Sequence, residues 1–329
     1  MKKLILAVPI ILFASITGVL LLFVMECWIW GWGVLALSIV VNWWSESFAC
    51  NLFKVVDKRG DFRILTFNIN RAYEKSVNKG TIDDLIDFIL HQNADIVLLQ
   101  EYNSEIYPKV QSCLSKVYQY DSDKGSNSRF KSVFSNYPIE SCEQLMVDTS
   151  DGQYDLFQKP FYSKKRFENN EVLPICKLKI RIKNKSVYLY NCHLMSNNYT
   201  VVMRTLRKKN KKPWQGILPA LKRIDFGYKA RDLQVEVISK QINVNIPTII
   251  CGDFNDVGGA SCIRKLQKYC LSDAWWKGGF GFGFTYHGMK LRLRLDHVLY
   301  SRKNLQLTRV LIPHSEVSDH YPIVCDFNL

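Results

Sequence analysis

The 329-residue chain has no Cys/His cluster at zinc-ligand spacing and no glycine-rich loop ending in Lys-Ser or Lys-Thr. The first absence argues against a structural zinc module, the second against P-loop nucleotide chemistry. Its ten cysteines form no compact framework, and several fall inside strand-like runs. They read as buried free thiols in a reducing compartment. No internal repeat is evident. Charge is missing from Leu4 to Met25 and again, beyond Glu26, from Cys27 to Ser45.

Each uncharged stretch approaches the roughly 20 residues that cross a bilayer as a helix. Five of the eight tryptophans lie here, Trp28, Trp30 and Trp32 near the middle and Trp43 and Trp44 at the end, which suits two interfacial belts. The sequence predicts a membrane hairpin over residues 1–50, with the lipid bilayer as partner through residues 4–45. A single anchor with an interfacial segment and a cleaved leader are the alternatives, although about 40 apolar residues is long for a leader. Lys2 and Lys3 before the hairpin and Lys54, Lys58 and Arg59 after it place both ends, and the rest of the chain, on the cytoplasmic side of the membrane, the inner membrane if the source is bacterial.

Net charge is +14, and residues 1–50 add nothing to it because Lys2 and Lys3 cancel Glu26 and Glu46. The remainder carries the whole excess. Such a domain attracts polyanions, either nucleic acid or an anionic leaflet.

Past a polar linker at 51–61, five strings stand out: TFNIN, DIVLLQE, NCHL, GDFND and SDHYPI. Each ends a strand-forming run with a carboxylate, amide or imidazole. One sheet edge would therefore collect Asn68, Glu101, His193, Asp253, Asn255, Asp319 and His320. Oxygen ligands suit a hard divalent cation, which neutralises charge on a phosphoryl group. A histidine oriented by a carboxylate moves protons near neutral pH, and Asp296, in RLDHVLY, is the candidate orienter of His320. The outline is that of metal-assisted phosphoester hydrolysis.

The order TFNIN, LLQE, HL, GDFND, LDHVLYS, SDHYP resembles the endonuclease/exonuclease/phosphatase superfamily, in a membrane-anchored, bacterial-type form. The resemblance runs from about Phe62 to Leu329. It implies a four-layered α/β sandwich of two packed, mainly antiparallel sheets flanked by helices. It also implies Mg²⁺, with Mn²⁺ as a substitute, held by Glu101 with Asn68 and Asp319. Asp253 and Asn255 would position and deprotonate the attacking water, His193 would meet a phosphoryl oxygen or the leaving group, and His320, held by Asp296, would stabilise the transition state or shuttle a proton. Whether Asp253 or His320 is the base stays open. The chain departs from the family at Gly125 to Ile139, where no carboxylate is available to partner His193, and at His297, which implies an altered substrate pocket.

Strands are predicted over FRILTFNI, ADIVLLQ, 132–135, 139–146, 175–182, 187–192, PTIICGD, 294–300, 305–312 and 322–327, and helices over 82–91, 104–116, 221–242 and 261–270. The run RTLRKKNKKPW, with Arg204, Arg207, Lys208 and Lys209, is a basic arm for polyanions or a solvated loop. GGFGFGFTYHG is a loop presenting aromatics or a meander with Phe280, Phe282 and Phe284 packed inward. His91, His287, His297 and His314 lack a motif and read as surface or satisfied core residues. The substrate is a polyanionic phosphoester: nucleic acid is slightly favoured, with sphingomyelin, other phospholipids or phosphoinositides as the alternative. A non-catalytic phosphate-binding scaffold is the reading of another class, disfavoured because every site residue is present. No obligate protein partner is expected.

Overall fold

The computed structural model describes residues 8–25, 28–51, 59–70, 80–102, 108–122, 133–145, 147, 175–197, 217–288 and 292–329. The chain opens with two helices, α1 (Val8–Val24) and α2 (Trp28–Ser45), followed by strand β1 (Ala49–Cys50). Then come β2 (Phe62–Asn68), α3 (Ile82–His91), β3 (Ile96–Gln100), α4 (Pro108–Val117), β4 (Tyr120–Asp121), β5 (Val133–Ser135), β6 (Ile139–Leu145), β7 (Ile175–Ile182) and β8 (Lys185–His193). The last third holds α5 (Ile217–Ser239), β9 (Thr248–Asp253), α6 (Ser261–Gln267), β10 (Leu271–Asp273), α7 (Ala274–Gly278), β11 (Phe280–Gly281), β12 (Asp296–Ser301), β13 (Gln306–Leu311) and β14 (Ile323–Asn328).

Two six-stranded sheets form, in orders β13-β14-β2-β3-β5-β4 and β10-β12-β9-β8-β7-β6. Each has one parallel pair at its centre, β2 with β3 and β8 with β9, among antiparallel neighbours. Strands buried on both faces need apolar residues at successive positions, and Ile96–Gln100 is buried throughout. The inner faces meet in one core through Phe62, Ile64, Leu98, Leu178, Ile249 and Phe327. The outer face of the first sheet is covered by α3 and α4 through Leu65, Phe67, Leu85, Ile89 and Leu114. The outer face of the second is covered by α5 and α6 through Tyr190, Val235, Ile238, Ile250 and Ile263. This is the expected layering, with mixed sheets. The capping box of α3 shows how local signals set its start: Thr81 Oγ1 accepts from the Asp84 amide at 3.2 Å, and Asp84 Oδ2 accepts from the Thr81 amide at 2.7 Å.

The expected membrane spans are not found. Among the described residues no helix is long and apolar enough to cross a membrane. The described part of α1 is 17 residues, and α2 is 18 residues diluted by glycine, tryptophan and Asn42. The end of α2 is moreover packed on the domain. Ser45 is 0% exposed, and β1 pairs with β11 through Ala49↔Gly281 and Cys50↔Phe280. Asn42 caps this turn, accepting from the Phe48 amide at 2.7 Å and donating to Phe48 O at 2.9 Å. Asn51 then donates to Trp276 O at 3.0 Å and Gly279 O at 2.9 Å.

Candidate hydrolytic site

The two sheets bring the ends of β2, β3, β8, β9 and β12 to one edge. Register aligns His193 with Asp253 across the parallel pair and Asp296 with Asp253 across the antiparallel one. Three site residues thus stand side by side on adjacent strands. From the other sheet, Asn68 pairs in register with Gln100, and Glu101 follows directly. Glu101 (φ 56) and Asn255 (φ 51) both adopt left-handed backbone without being glycine, a conformation that costs about 1 kcal/mol or more and collects at functional sites. Gly252 is required by packing: a Cβ there would lie 2.0 Å from Cys192 O.

Asn68 ties the sheets together. Its Nδ2 donates to Asp253 Oδ2 at 2.9 Å and to Glu101 Oε1 at 3.3 Å, while its Oδ1 accepts from the Asn70 amide at 2.9 Å. In this arrangement the Asn68 amide bridges the two carboxylates through its nitrogen, while its oxygen faces the Asn70 amide. Asp253 Oδ1 accepts from the Asn255 amide at 2.8 Å, and Asn255 Nδ2 reaches Leu194 O at 2.9 Å. His193 Nε2 lies 3.7 Å from both Glu101 Oε1 and Asp253 Oδ2. The expected orienter is in place: His320 Nδ1 is 2.8 Å from Asp296 Oδ2, and His320 Nε2 is 4.0 Å from Asp253 Oδ2. Arg204, Arg207, Lys208 and Lys209 lie outside the described residues.

Electrostatics divides these groups. Burial opposes a charge on His320, but Asp296, Asp253 and Asp319 outweigh it and push its pKa up to about 10. The imidazolium is therefore the form present at neutral pH. Burial raises Asp253, reinforced by Asp296 and offset in part by the two histidines. Asp319 is raised to about 6, first by burial and then by Glu101 and Asp253 against the opposing His320. Its Oδ1 is buried with no hydrogen-bond partner among the described residues. An orphaned carboxylate oxygen beside Glu101 and Asp253 is what a hard cation would satisfy. Asp253, Asp296 and His320 also place ligand atoms within 4.8 Å of one another. We favour the Glu101 side, because the Asp296–His320 hydrogen bond already occupies that trio.

Several residues inside the singled-out strings take parts that the strings did not announce. Gln100 and Asn191 cross between the sheets beneath the site, Gln100 Nε2 donating to Asn191 Oδ1 at 2.6 Å and Asn191 Nδ2 to Leu99 O at 3.0 Å. They sit inside LLQE and NCHL, yet side-chain pairing across sheets leaves no sequence trace. Ser318 Oγ donates to Asn68 O at 2.8 Å, fastening the SDH loop to β2. Tyr286 packs its ring 5.0 Å from His320, and burial together with Asp319, Asp253 and Glu101 pushes its pKa up to about 12. In the Gly-Phe run, Phe282 and Phe284 stack at 5.2 Å while Phe280 is 56% exposed, so neither expectation for this segment holds throughout. His297 does not face the site, contrary to the altered pocket expected there. Successive strand residues point to opposite faces, and the preceding Asp296 takes the site side.

Behind the GDFND turn, Arg231 and Asp256 form an ion pair that is 0% exposed on both sides, Nε to Oδ2 at 3.0 Å. Arg231 Nη1 also donates to Met195 O at 2.7 Å. Breaking a buried pair strands a charge, so Arg231→Leu is expected to destabilise by about 3 to 5 kcal/mol. A double variant, Arg231→Leu with Asp256→Asn, should lose less. Chemical denaturation of both checks this, and an equal loss in the two would put the effect in packing and not in charge.

The profile of the Endonuclease/Exonuclease/phosphatase family matches residues 65–320. No curated protein matches the chain. Among solved structures, D. rerio TDP2 in complex with a single-strand DNA product is similar at 13% identity and a TM-score of 0.55, over 82% of this chain and 99% of that one. The catalytic domain of human Nocturnin with bound sulfate is similar at 17% identity and a TM-score of 0.51, over 81% and 93%. An endonuclease/exonuclease/phosphatase family protein from Leptotrichia buccalis C-1013-b is similar at 16% identity and a TM-score of 0.52, over 82% and 100%. At these identities the likeness is one of fold. It spans animals and a bacterium alike, so it singles out no bacterial type.

Proposed function

The chain belongs to the Endonuclease/Exonuclease/phosphatase family and is a hydrolase of phosphoester bonds, and from that premise we propose a Mg²⁺-dependent phosphodiesterase that acts on nucleic acid. The observation that carries the reading is the single edge on which Glu101, Asp253, Asp296 and His320 converge from two sheets. Family members use divalent metals. Glu101 and Asp319 would hold the cation, Mg²⁺ or Mn²⁺ in its place, which when bound neutralises charge on a phosphoryl oxygen. The protein groups do the rest. Asp253, buried and fixed by Asn68 and Asn255, accepts the proton of the attacking water. His320, charged at neutral pH and oriented by Asp296, donates from Nε2 to the oxygen on which charge develops. His193, 3.7 Å from both Glu101 and Asp253, would meet a phosphoryl oxygen or the leaving group.

Nucleic acid is favoured by the positive charge carried wholly outside residues 1–50 and by the DNA product bound to the D. rerio relative. Arg204, Arg207, Lys208 and Lys209 would form a basic arm along such a substrate. A lipid phosphoester is the second reading, favoured by the helical hairpin. Leu21, Met25, Ile29, Trp30, Trp32 and Trp43 are between 58% and 86% exposed, a concentration of large exposed apolar side chains on two helices that suits an apolar partner. We propose that these helices lie against a bilayer, with the catalytic domain on the cytoplasmic side, where the anionic leaflet would attract the flanking lysines and arginine.

The full chain, reconstituted in lipid nanodiscs with Mg²⁺, should be offered single-stranded and duplex DNA, RNA, sphingomyelin and phosphoinositides. Mg²⁺-dependent cleavage of nucleic acid is expected. Cleavage confined to lipid would move the substrate to the second reading, and turnover of none of them would sink both.

A further inference from the structure

A second buried polar cluster lies on the far face of β12, away from the reacting groups. Its centre is Asp273, 1% exposed, which caps α7 by accepting from the Trp276 amide at 2.9 Å. Asp273 Oδ2 also meets Arg294 Nη1 at 2.7 Å and His297 Nδ1 at 2.8 Å. Burial disfavours the charged carboxylate, yet Arg294 and His297 outweigh it and hold Asp273 well below the usual carboxylate range.

The cluster reaches outward in two directions. His297 Nε2 lies 3.0 Å from Asp256 O. A carbonyl only accepts, so this nitrogen carries a proton and pins the turn that presents Asn255. Arg294 Nη2 donates to Glu46 O at 2.8 Å. Glu46 is the first residue beyond α2, in left-handed backbone at φ 49, and its carboxylate takes two hydrogen bonds from Gln267 Nε2 at 2.9 and 3.0 Å. The hairpin end is seated there by close backbone contact as well. A Cβ on Gly259, at φ +72, would lie 2.8 Å from Ser45 Cα, and one on Gly258 would lie 2.7 Å from Glu46 O. Arg264 donates to Trp44 O and places its guanidinium 4.7 Å over the Trp44 ring.

Arg294 and His297 flank the strand position from which Asp296 orients His320. We propose that Arg294 and His297 are positioning residues for the hydrolytic site, and that the hairpin end, Trp44 to Ser47, is the seat on which they close. The apolar hairpin is then mechanically joined to the catalytic strand. Loss of that seat lets the start of β12 and the 255–259 turn shift, and a misplacement of about 1 Å can cost about 100-fold in rate. This inference rests on the assignment of Asp296 and His320 to the site.

The test uses the full chain with three variants, Arg294→Met, Arg294→Lys and Gly259→Ala, and two readouts. The first is the split between kcat and KM on a small chromogenic phosphodiester in Mg²⁺. Arg294→Met and Gly259→Ala are expected to lower kcat by about 10- to 100-fold with KM within about twofold, whereas Arg294→Lys keeps more of kcat because it retains a donor. The second is the NMR resonance of the His320 Nδ1 proton, read at one fixed pH without substrate. It should move or broaden in Arg294→Met and Gly259→Ala and stay nearer its wild-type place in Arg294→Lys. Gly259→Ala drives a Cβ from the 255–259 turn against Ser45 and leaves Arg294 itself intact, so it decides the matter if Arg294→Met fails to melt cooperatively. An unmoved His320 resonance in a folded Arg294→Met or Gly259→Ala protein overturns the proposal, as does an unchanged kcat in an enzyme shown to be active. A wild type without phosphodiesterase activity would instead count against the functional reading, and the resonance would still decide the coupling.

Discussion

Replacing His320 with alanine is expected to lower turnover by about two to four orders of magnitude, the range for a group that supplies charge or a proton in the transition state. The residue is 5% exposed, with Nδ1 on Asp296 Oδ2 at 2.8 Å and Nε2 turned toward Asp253. Alanine removes the cation and leaves Asp296 buried without its partner, so stability falls too, by about 3 to 5 kcal/mol. The pH dependence has a definite sign. His320 is raised from 6.5 to about 10 in the folded protein, so its stabilising contribution is fully present below pH 6.5 and is lost as pH rises through about 10. The gap in melting temperature between wild type and variant should be widest at and below pH 6.5 and narrow toward pH 10. Near-normal turnover, or a gap that widens with pH, would show that His320 is not the charged member of the site.

The second large effect belongs to Glu101→Gln. The amide keeps the shape and an oxygen that can accept from Asn68 Nδ2, now 3.3 Å from Oε1, but it loses the charge that draws a hard cation. The side chain is 25% exposed, so the fold should tolerate the change. Mg²⁺ affinity should drop by at least about 10-fold and turnover by about 100-fold or more, the loss expected when transition-state charge goes uncompensated. Calorimetric titration of Mg²⁺ into wild type and variant checks the first part. Unchanged affinity would remove Glu101 from the ligands and point to the trio of Asp253, Asp296 and His320.

What the sequence makes legible is chemistry at strand ends. Asn68, Glu101, His193 and Asp253 stand out because each closes an apolar run, and a run that stops at a polar residue is a strand meeting an edge; His320 stands just ahead of the last such run. The layers follow from the same runs, since continuous burial of Ile96–Gln100 or Thr248–Asp253 needs cover on both faces. What stays hidden is any partnership between distant residues. Asn68 joins the ends of two sheets, its Nδ2 reaching both Glu101 and Asp253, a bridge with no trace in the local sequence. Arg231 and Asp256 are 25 residues apart on a helix and a turn, and Arg294 is 248 residues from Glu46. Each alone reads as an ordinary surface charge.

The hairpin shows the opposite failure. A window of uncharged residues registers hydropathy but not the docking of Ser45 and Ala49 into the domain. It therefore predicts two free spans where the described helices are too short or too diluted to cross a membrane. His297 is the satisfied core residue its lack of a motif suggested, 0% exposed and bonded through both ring nitrogens, and only the altered pocket expected there fails, for a simpler reason. Its neighbour Asp296 is a site residue, and adjacency in sequence is the one relation a strand guarantees to be opposite in space.

The most direct measurement is the rate of phosphodiester hydrolysis by the full-length chain, with Mg²⁺ and with a chelator, beside His320→Ala and Glu101→Gln under the same conditions. Convergence of these groups into one hydrolytic edge predicts turnover in wild type that disappears with the chelator and falls at least about 100-fold in each variant. Turnover that survives the chelator, or that is the same in both variants as in wild type, would contradict it.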